Sequence, residues 1–402
     1  MTLGLIVRRS LRQHALSTTV TAASIALACG LLLAVWVVKD QSHATFTGMT
    51  GGFDGVLGAR GSKLQLVLNT LFHLEESPGN LPWNDYLDIK QNPNVEFALP
   101  IAVGDNYRGY RLAGTLPELF TAVEYRPGRH YSFRAGRAFE PTLREAVVGS
   151  FAADKLGLKP GDKFHPYHGL IYDEKSEHAE TYVVVGVLEP SNTPADRVVW
   201  IPLEGLQKMS GHDPKAAADV SGVLVKLKAG AAAAGFRMDL MYNKQGTRLT
   251  FAWPVGRVMT QLFDKIGWFD RVLTLVAYLV ALVATSSILA SIYNSMNERR
   301  REIAILRALG ARRDLIFSAI VLEAAAISAL GVLAGFVVYA LVMNAVAAIM
   351  RAQTGVVLDP FAWHPVMVLA PVAIIALGAL AGVVPAVKAY RTDVAENLVP
   401  QS

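Results

Sequence analysis

Apolar and polar positions divide this 402-residue chain into four long apolar runs and one long mixed interval. Ala15 to Val38, Arg271 to Tyr293, Leu315 to Met350 and Val366 to Val387 are each predominantly apolar over 20 residues or more. A helix of that length crosses a hydrocarbon core of about 30 Å. Leu315 to Met350 would reach about 54 Å as one helix, so part of it must tilt or project from the bilayer. Arg8, Arg9 and Arg12 precede the first run, and the ALAC at Ala26 to Cys29 loosely resembles a lipoprotein cleavage site. A signal peptide's apolar core spans about 7 to 15 residues, however. This run continues for nine residues past Cys29. It reads as a retained first transmembrane helix whose N-terminus, residues 1–14, is cytoplasmic. Four crossings then return the C-terminal tail, 388–402, to the cytoplasm, with 294–314 as an internal cytoplasmic segment.

Between the first and second runs, residues 40–265 are polar enough to fold in water. Gly48 to Gly61 carries four further glycines between its ends and reads as a loop or a set of tight turns. Leu64 to Leu74 has apolar residues at helical spacing (Leu64, Val67, Leu68, Leu71), as a core-packing helix or one that touches lipid or substrate would. Trp83 to Gln91, Leu116 to Val123 and Gly149 to Lys159 read as short helices, the last ended by the turn Lys159-Pro160-Gly161-Asp162. Glu96 to Val103, Glu145 to Val148, Thr181 to Leu188, Arg197 to Ile201 and Val223 to Leu227 read as strands rich in Val and Ile. Helices and strands mixed without a fixed alternation predict an α+β domain, here of two lobes, outside the membrane between transmembrane helices one and two.

Composition sharpens this picture. The chain is 52% hydrophobic and 18% charged, below the ~25% charged residues of an average soluble domain. The formal charge of +5 is unevenly placed: Asp40 to Asp270 holds 24 Lys+Arg against 26 Asp+Glu, and the remainder holds 14 against 7. Basic residues therefore crowd the apolar runs, as cytoplasmic flanks require, and nucleic-acid binding loses its support. One cysteine, Cys29, excludes an intrachain disulfide. No Lys follows a Gly anywhere, so a phosphate-binding Gly-Lys loop is absent. If the protein works with ATP, another polypeptide binds it. No Gly-x-Ser-x-Gly or His-Glu-x-x-His occurs.

Four features are candidates for function. His165, His168 and His178 fall in a short segment with Asp173, Glu174, Glu177 and Glu180. Imidazole and carboxylate ligands in such density could hold zinc, and a solvated polar loop is the plainer reading. Glu323 lies inside the third apolar run near its cytoplasmic side, either as an intramembrane carboxylate or at the interface. Gly331 and Gly335, and Gly378 and Gly382, are G-x-x-x-G pairs that let helices approach closely in lipid. Asn297 to Gly310, NERRREIAILRALG, is basic and imperfectly amphipathic. In helical projection Glu298, Glu302, Ile305 and Leu309 share a stripe, with Arg300 and Arg307 opposite. A topology anchor needs only arginines; this pattern suits a protein groove better, with Ile305, Leu306 and Leu309 as anchors and Arg299, Arg300 and Arg301 on the rim.

From NERRREIAILRALGARRDLIFSAIVLEAAAISALGVLAGFVVY onward the sequence resembles the FtsX/MacB-type permeases of ABC transporters. Its ending, AGVVPAVKAYRTDVAENL, looks like the same family's. FRAGRAFEPTLREAVVGSFAADKLGLKPGDKF, YVVVGVLEP and RVVWIPLEGL are similar to the MacB periplasmic core domain. The resemblance implies a bacterial inner-membrane permease that is not itself an enzyme and forms a homodimer. It implies two copies of a cytoplasmic ABC ATPase of the LolD/MacB type holding ATP and Mg²⁺, and a periplasmic or outer-membrane partner. ATP-driven closure would be passed through Glu298 to Gly310 to the periplasmic domain, moving cargo out of the periplasm or outer leaflet. An FtsX-like regulator of a periplasmic hydrolase, and a membrane receptor or scaffold, stay open beside it.

Overall fold

The computed structural model describes residues 3–212, 218–298, 311–354 and 356–391. They form two compact units, one from residues up to 42, 267–352 and 358 onward, the other from 43–266 with 353–357.

The first unit is helical. A short helix, Leu3–Gln13, precedes the long helices Ala15–Gly48, Val255–Glu298, Arg313–Thr354 and Val366–Arg391. Among the described residues, three spans are long and apolar enough to cross a membrane: Ala15–Thr45, Arg313–Gln353 and Val366–Lys388. In Val255–Glu298 the described apolar stretch is shorter, Thr274–Val283. Ile25, Cys29, Leu33 and Val37 recur every fourth residue and are buried, so one stripe of the first long helix is committed to helix packing. Small residues set its distance from Arg313–Thr354. A Cβ on Gly331 would stand 2.6 Å from Ile25 Cβ, one on Gly335 2.8 Å from Cys29 Cβ, and one on Gly30 2.6 Å from Val338 Cβ. Gly382, in the last helix, meets Ala324 in the same way at 2.7 Å, and Gly378 is buried one turn earlier. Backbones this close gain dispersion along the whole interface, which in lipid replaces the missing hydrophobic drive.

The second unit is α+β. Its mixed sheet of eleven strands is ordered Leu249–Ala252, Gly55–Ala59, Gly222–Leu227, Val95–Tyr107, Tyr110–Thr115, Val199–Pro202, Glu145–Val148, Tyr182–Leu188, Phe133–Gly136, with Tyr167–His168 and Lys163–Phe164 paired off this path. Val95–Tyr107 joins the two halves: residues 95–101 pair with Gly222–Leu227, and 102–107 with Tyr110–Thr115. The two lobes expected from the sequence correspond to no break in this sheet. Short helices, including Lys63–Thr70, Trp83–Lys90 and Ser150–Leu156, accompany it, the last ending on Gly157 in the left-handed conformation at φ 71°. The core gathers Leu57, Tyr86, Ile89, Tyr182, Ile201 and Phe251.

One expectation is overturned. The glycine-rich stretch Gly48 to Gly61 is not only loop: Gly55–Ala59 is an interior strand paired on both sides. Its glycines serve close approach, since a Cβ at Gly55 would lie 2.7 Å from the Phe251 ring and one at Gly58 2.2 Å from Leu66 Cδ1.

At the other end of the sheet Arg137 forks onto Glu145, Nη2 to Oε1 at 2.6 Å and Nη1 to Oε2 at 2.8 Å, while the Glu140 amide donates to Oε2 at 2.9 Å. The hydrogen bonds from Arg137 outweigh burial and hold the Glu145 carboxyl below its usual range. A depressed folded-state pKa contributes stability above the unfolded value, and that contribution disappears as pH falls through the folded one. Arg137→Met is therefore expected to lower the melting temperature of the detergent-purified protein at pH 7, with the difference from wild type narrowing toward acid. A difference that stays constant down to pH 3 would show that the pair does not act through the ionised carboxylate.

Candidate functional site

The second unit brings four potential ligands together from separate parts of the chain. Asp105 lies on Val95–Tyr107, His168 on the short strand Tyr167–His168, His178 ten residues further on, and His212 beyond the helix Leu203–Gln207. A register shift between Val103 and Asp105 breaks the ladder beside the carboxylate, the kind of irregularity that re-aims a side chain. Asn106, its neighbour, then pins the histidine-bearing loop: its Nδ2 donates to the carbonyls of Tyr167 (3.4 Å), Gly169 (2.9 Å) and Ile171 (3.3 Å). The His178 amide donates to Pro166 O at 2.8 Å, closing the loop on itself. Glu180 holds the third segment by accepting from the Ser210 amide at 3.0 Å and its hydroxyl at 2.9 Å.

One ligand atom from each of the four residues can be chosen so that all lie within 4.8 Å of one another. His168 Nδ1 and His178 Nε2 each stand 3.4 Å from Asp105 Oδ1, and His212 Nε2 stands 3.2 Å from the same carboxylate. The three imidazole centroids are 5.2 to 5.4 Å apart, forming a nearly equilateral triangle. Asp105 is fully buried and His178 nearly so, whereas the His168 side chain is 56% exposed. Burial alone would push the Asp105 carboxyl up, but His178 and His212 more than offset it and hold it below the usual range. Asp105 in turn raises both imidazoles. Asp105 Oδ2 and His178 Nε2 are buried without a hydrogen-bond partner, a costly state for two polar atoms in a folded domain. Beside the group opens a cleft of about 320 Å³ lined by Asn80, Gly104, His168, Gln207, His212 and Asp219.

Of the three histidines read from the sequence, His168 and His178 enter this group and His165 does not; its Nε2 faces Thr181 Oγ1 at 3.5 Å. Asp105 and His212, 107 residues apart, went unnoticed because nothing local to either marks it. The acidic neighbours are also dispersed: Asp173 caps the turn Glu174–Ser176, and Glu180 binds Ser210.

Comparison with known proteins assigns the chain. A family model described as the MacB-like periplasmic core domain matches residues 18–240, more than half of the chain. A second, the FtsX-like permease C-terminal region, matches residues 274–394. The chain belongs to the FtsX/MacB-type ABC permeases. Two solved structures are similar to parts of this permease. The extracellular domain of the noncanonic ABC-type transporter YknZ from Gram-positive bacteria is 17% identical, covering 49% of this chain and 97% of that one, with a TM-score of 0.31. The periplasmic region of MacB from Actinobacillus actinomycetemcomitans is 13% identical, covering 54% and 94%, with a TM-score of 0.35. No curated protein sequence matches the chain.

Within the permease, Glu323 accepts a hydrogen bond from Ser10 of the helix Leu3–Gln13. That helix precedes the first long apolar span, so the carboxylate sits level with the span's beginning rather than its middle. Asn297 and Glu298 close the described part of Val255–Glu298, and Arg299, Arg300, Arg301, Glu302, Ile305, Leu306, Arg307, Leu309 and Gly310 lie outside the described residues.

Proposed function

We propose that this permease couples ATP hydrolysis by a separate cytoplasmic ATPase to movements of its periplasmic domain, driving export or extraction of a substrate from the periplasm or outer leaflet. The observation that carries the reading is the joining of a periplasmic core domain and an FtsX-like region in one chain that contains no Gly-Lys phosphate loop. The membrane parts of an ABC machine work with a nucleotide-binding motor, and these 402 residues hold no Gly-Lys loop to cradle its phosphates, which supports a motor on another polypeptide. In the working assembly two copies of the chain, each with four crossings and both termini in the cytoplasm of a bacterial inner-membrane protein, meet two ATPase copies. The crossing absent from the apolar spans above is the run Arg271 to Tyr293, within Val255–Glu298. Residues 298–310 are the ATPase contact in this reading, because a mixed stripe of apolar anchors and rim arginines fits a groove on a protein.

The test is co-expression with candidate ABC ATPases of the LolD/MacB type, followed by purification in detergent and reconstitution. The ATPase is expected to be retained in a one-to-one ratio and to hydrolyse ATP faster with the permease than alone. A permease that retains no ATPase, or one that leaves its rate unchanged, would overturn the reading.

A further inference from the structure

We propose that Asp105, His168, His178 and His212 bind one divalent cation of the zinc class in the periplasmic domain. The donor set is the first reason. Three imidazoles and one carboxylate are borderline ligands suited to Zn²⁺ and its late first-row neighbours, and unsuited to Ca²⁺ or Mg²⁺, which take oxygen shells.

The spacing is the second. Bonds of about 2.0–2.1 Å to a tetrahedral ion place neighbouring ligand atoms about 3.3–3.4 Å apart. The three nitrogens stand 3.4, 3.4 and 3.2 Å from the Asp105 carboxylate. These separations are long for charge-assisted hydrogen bonds, which run at about 2.7–2.9 Å. The equal centroid distances add a threefold arrangement of rings around the carboxylate that core packing does not require.

The third reason is the state of the buried atoms. His212 Nδ1 lies 3.0 Å from Leu206 O. A carbonyl can only accept, so Nδ1 carries a proton, and in the neutral form of the ring the Nε2 lone pair is the one that faces Asp105. An outer partner that fixes the tautomer in this way is the usual companion of a metal-bound histidine. His178 Nε2 and Asp105 Oδ2 are buried and unpartnered. A cation held by His178 Nε2 and the Asp105 carboxylate would satisfy the imidazole nitrogen and neutralise a carboxylate that has no Lys or Arg ion pair among the described residues.

The exposures assign an order of events. Asp105 and His178 are inside, while His168 faces the cleft. The ion therefore enters past His168 and leaves by its release, and His168 contributes least to holding it. Once bound, the ion ties the loop 166–180 and the segment around His212 to the end of Val95–Tyr107, three pieces of chain that otherwise meet through hydrogen bonds and ring contacts. The periplasmic domain thus gains a metal-dependent clamp at the mouth of its cleft.

The experiment uses the full-length permease in detergent, with affinity tags removed and metal stripped by chelator. Titration calorimetry with ZnCl₂ is expected to give one site per chain, and Co²⁺ is expected to give the intense visible bands of tetrahedral coordination. His178→Ala should weaken Zn²⁺ by more than about 100-fold, beyond the effect usual for an outer partner, and His168→Ala by about tenfold or more. His165→Ala should leave binding unchanged. Wild-type protein that shows no saturable Zn²⁺ binding, or only a weak six-coordinate Co²⁺ spectrum, overturns the proposal. So does wild-type affinity in both His168→Ala and His178→Ala. Because His168 is exposed, its variant reports on the site even where His178→Ala does not fold.

Discussion

Replacing Arg299, Arg300 and Arg301 together by glutamate is expected to abolish retention of the partner ATPase. The substitution changes the charge of one short segment by six while leaving the apolar anchors Ile305, Leu306 and Leu309 in place. Juxtaposed like charges across an interface cost several kcal/mol. A loss of about 4 kcal/mol weakens binding about a thousandfold, enough to remove the ATPase during purification. The same reversal removes part of the positive-inside signal, so loss of the ATPase by inverted topology must be separated from loss of the contact. Leu306→Asp makes that separation, because it places a charge among the anchors and keeps every arginine. Both variants are expected to insert normally, as judged by protease access to the periplasmic domain, and to lose the ATPase. If both retain it at wild-type yield, residues 298–310 are not the contact and the motor meets the permease elsewhere.

The second large effect is expected at Gly335, where a leucine should break the packing of the first long helix against Arg313–Thr354. A Cβ there would already stand 2.8 Å from Cys29 Cβ, 3.2 Å from its Sγ and 3.3 Å from the Ala26 carbonyl oxygen. Alanine would force a shift, and leucine adds three more carbons where helix Ala15–Gly48 already fills the space. Overpacking of a close-packed interface costs about 1–3 kcal/mol, and a backbone obstacle on the opposing helix puts this site at the upper end. For a protein this size that is on the order of 5 °C in melting temperature. Gly267 is the control, since nothing lies within 4 Å of where its Cβ would be. Gly335→Leu should melt well below wild type in detergent and Gly267→Leu close to it. Equal melting of the two would remove the case that Gly331 and Gly335 set the helix separation.

Legibility differed sharply between the two units. Three of the four apolar runs correspond to spans long and apolar enough to cross a membrane among the described residues, and they were plain because each is a local property: a long apolar stretch in lipid can satisfy its backbone only through hydrogen bonds to itself. Val366–Arg391 begins at the residue read from the sequence, and Arg313–Thr354 lies within four residues of the expected ends. Strands rich in Val and Ile were also legible, Glu145–Val148 to the residue. Gly55–Ala59 was not, because its glycines look like turn formers until Phe251 and Leu66 are seen occupying the space a side chain would take. Tyr110–Thr115 escaped too, since YRLAGT carries no Val or Ile and no sustained apolar alternation to announce it.

The candidate site divides along the same line. His168 and His178 stood out because they share a short loop, and His165 stood out for the same reason without belonging to the group. Sequence by itself determined that this is a membrane protein with a large mixed interval between its apolar runs and no Gly-Lys loop, since those conclusions rest on runs and absences that can be counted along the chain. Only the tertiary structure decided which polar residues act together. Asp105 and His212 are brought to His178 by strand pairing, a break in register and a helix end, and distances of 3.2 to 3.4 Å between residues up to 107 positions apart are a property of the fold, not of any segment within it.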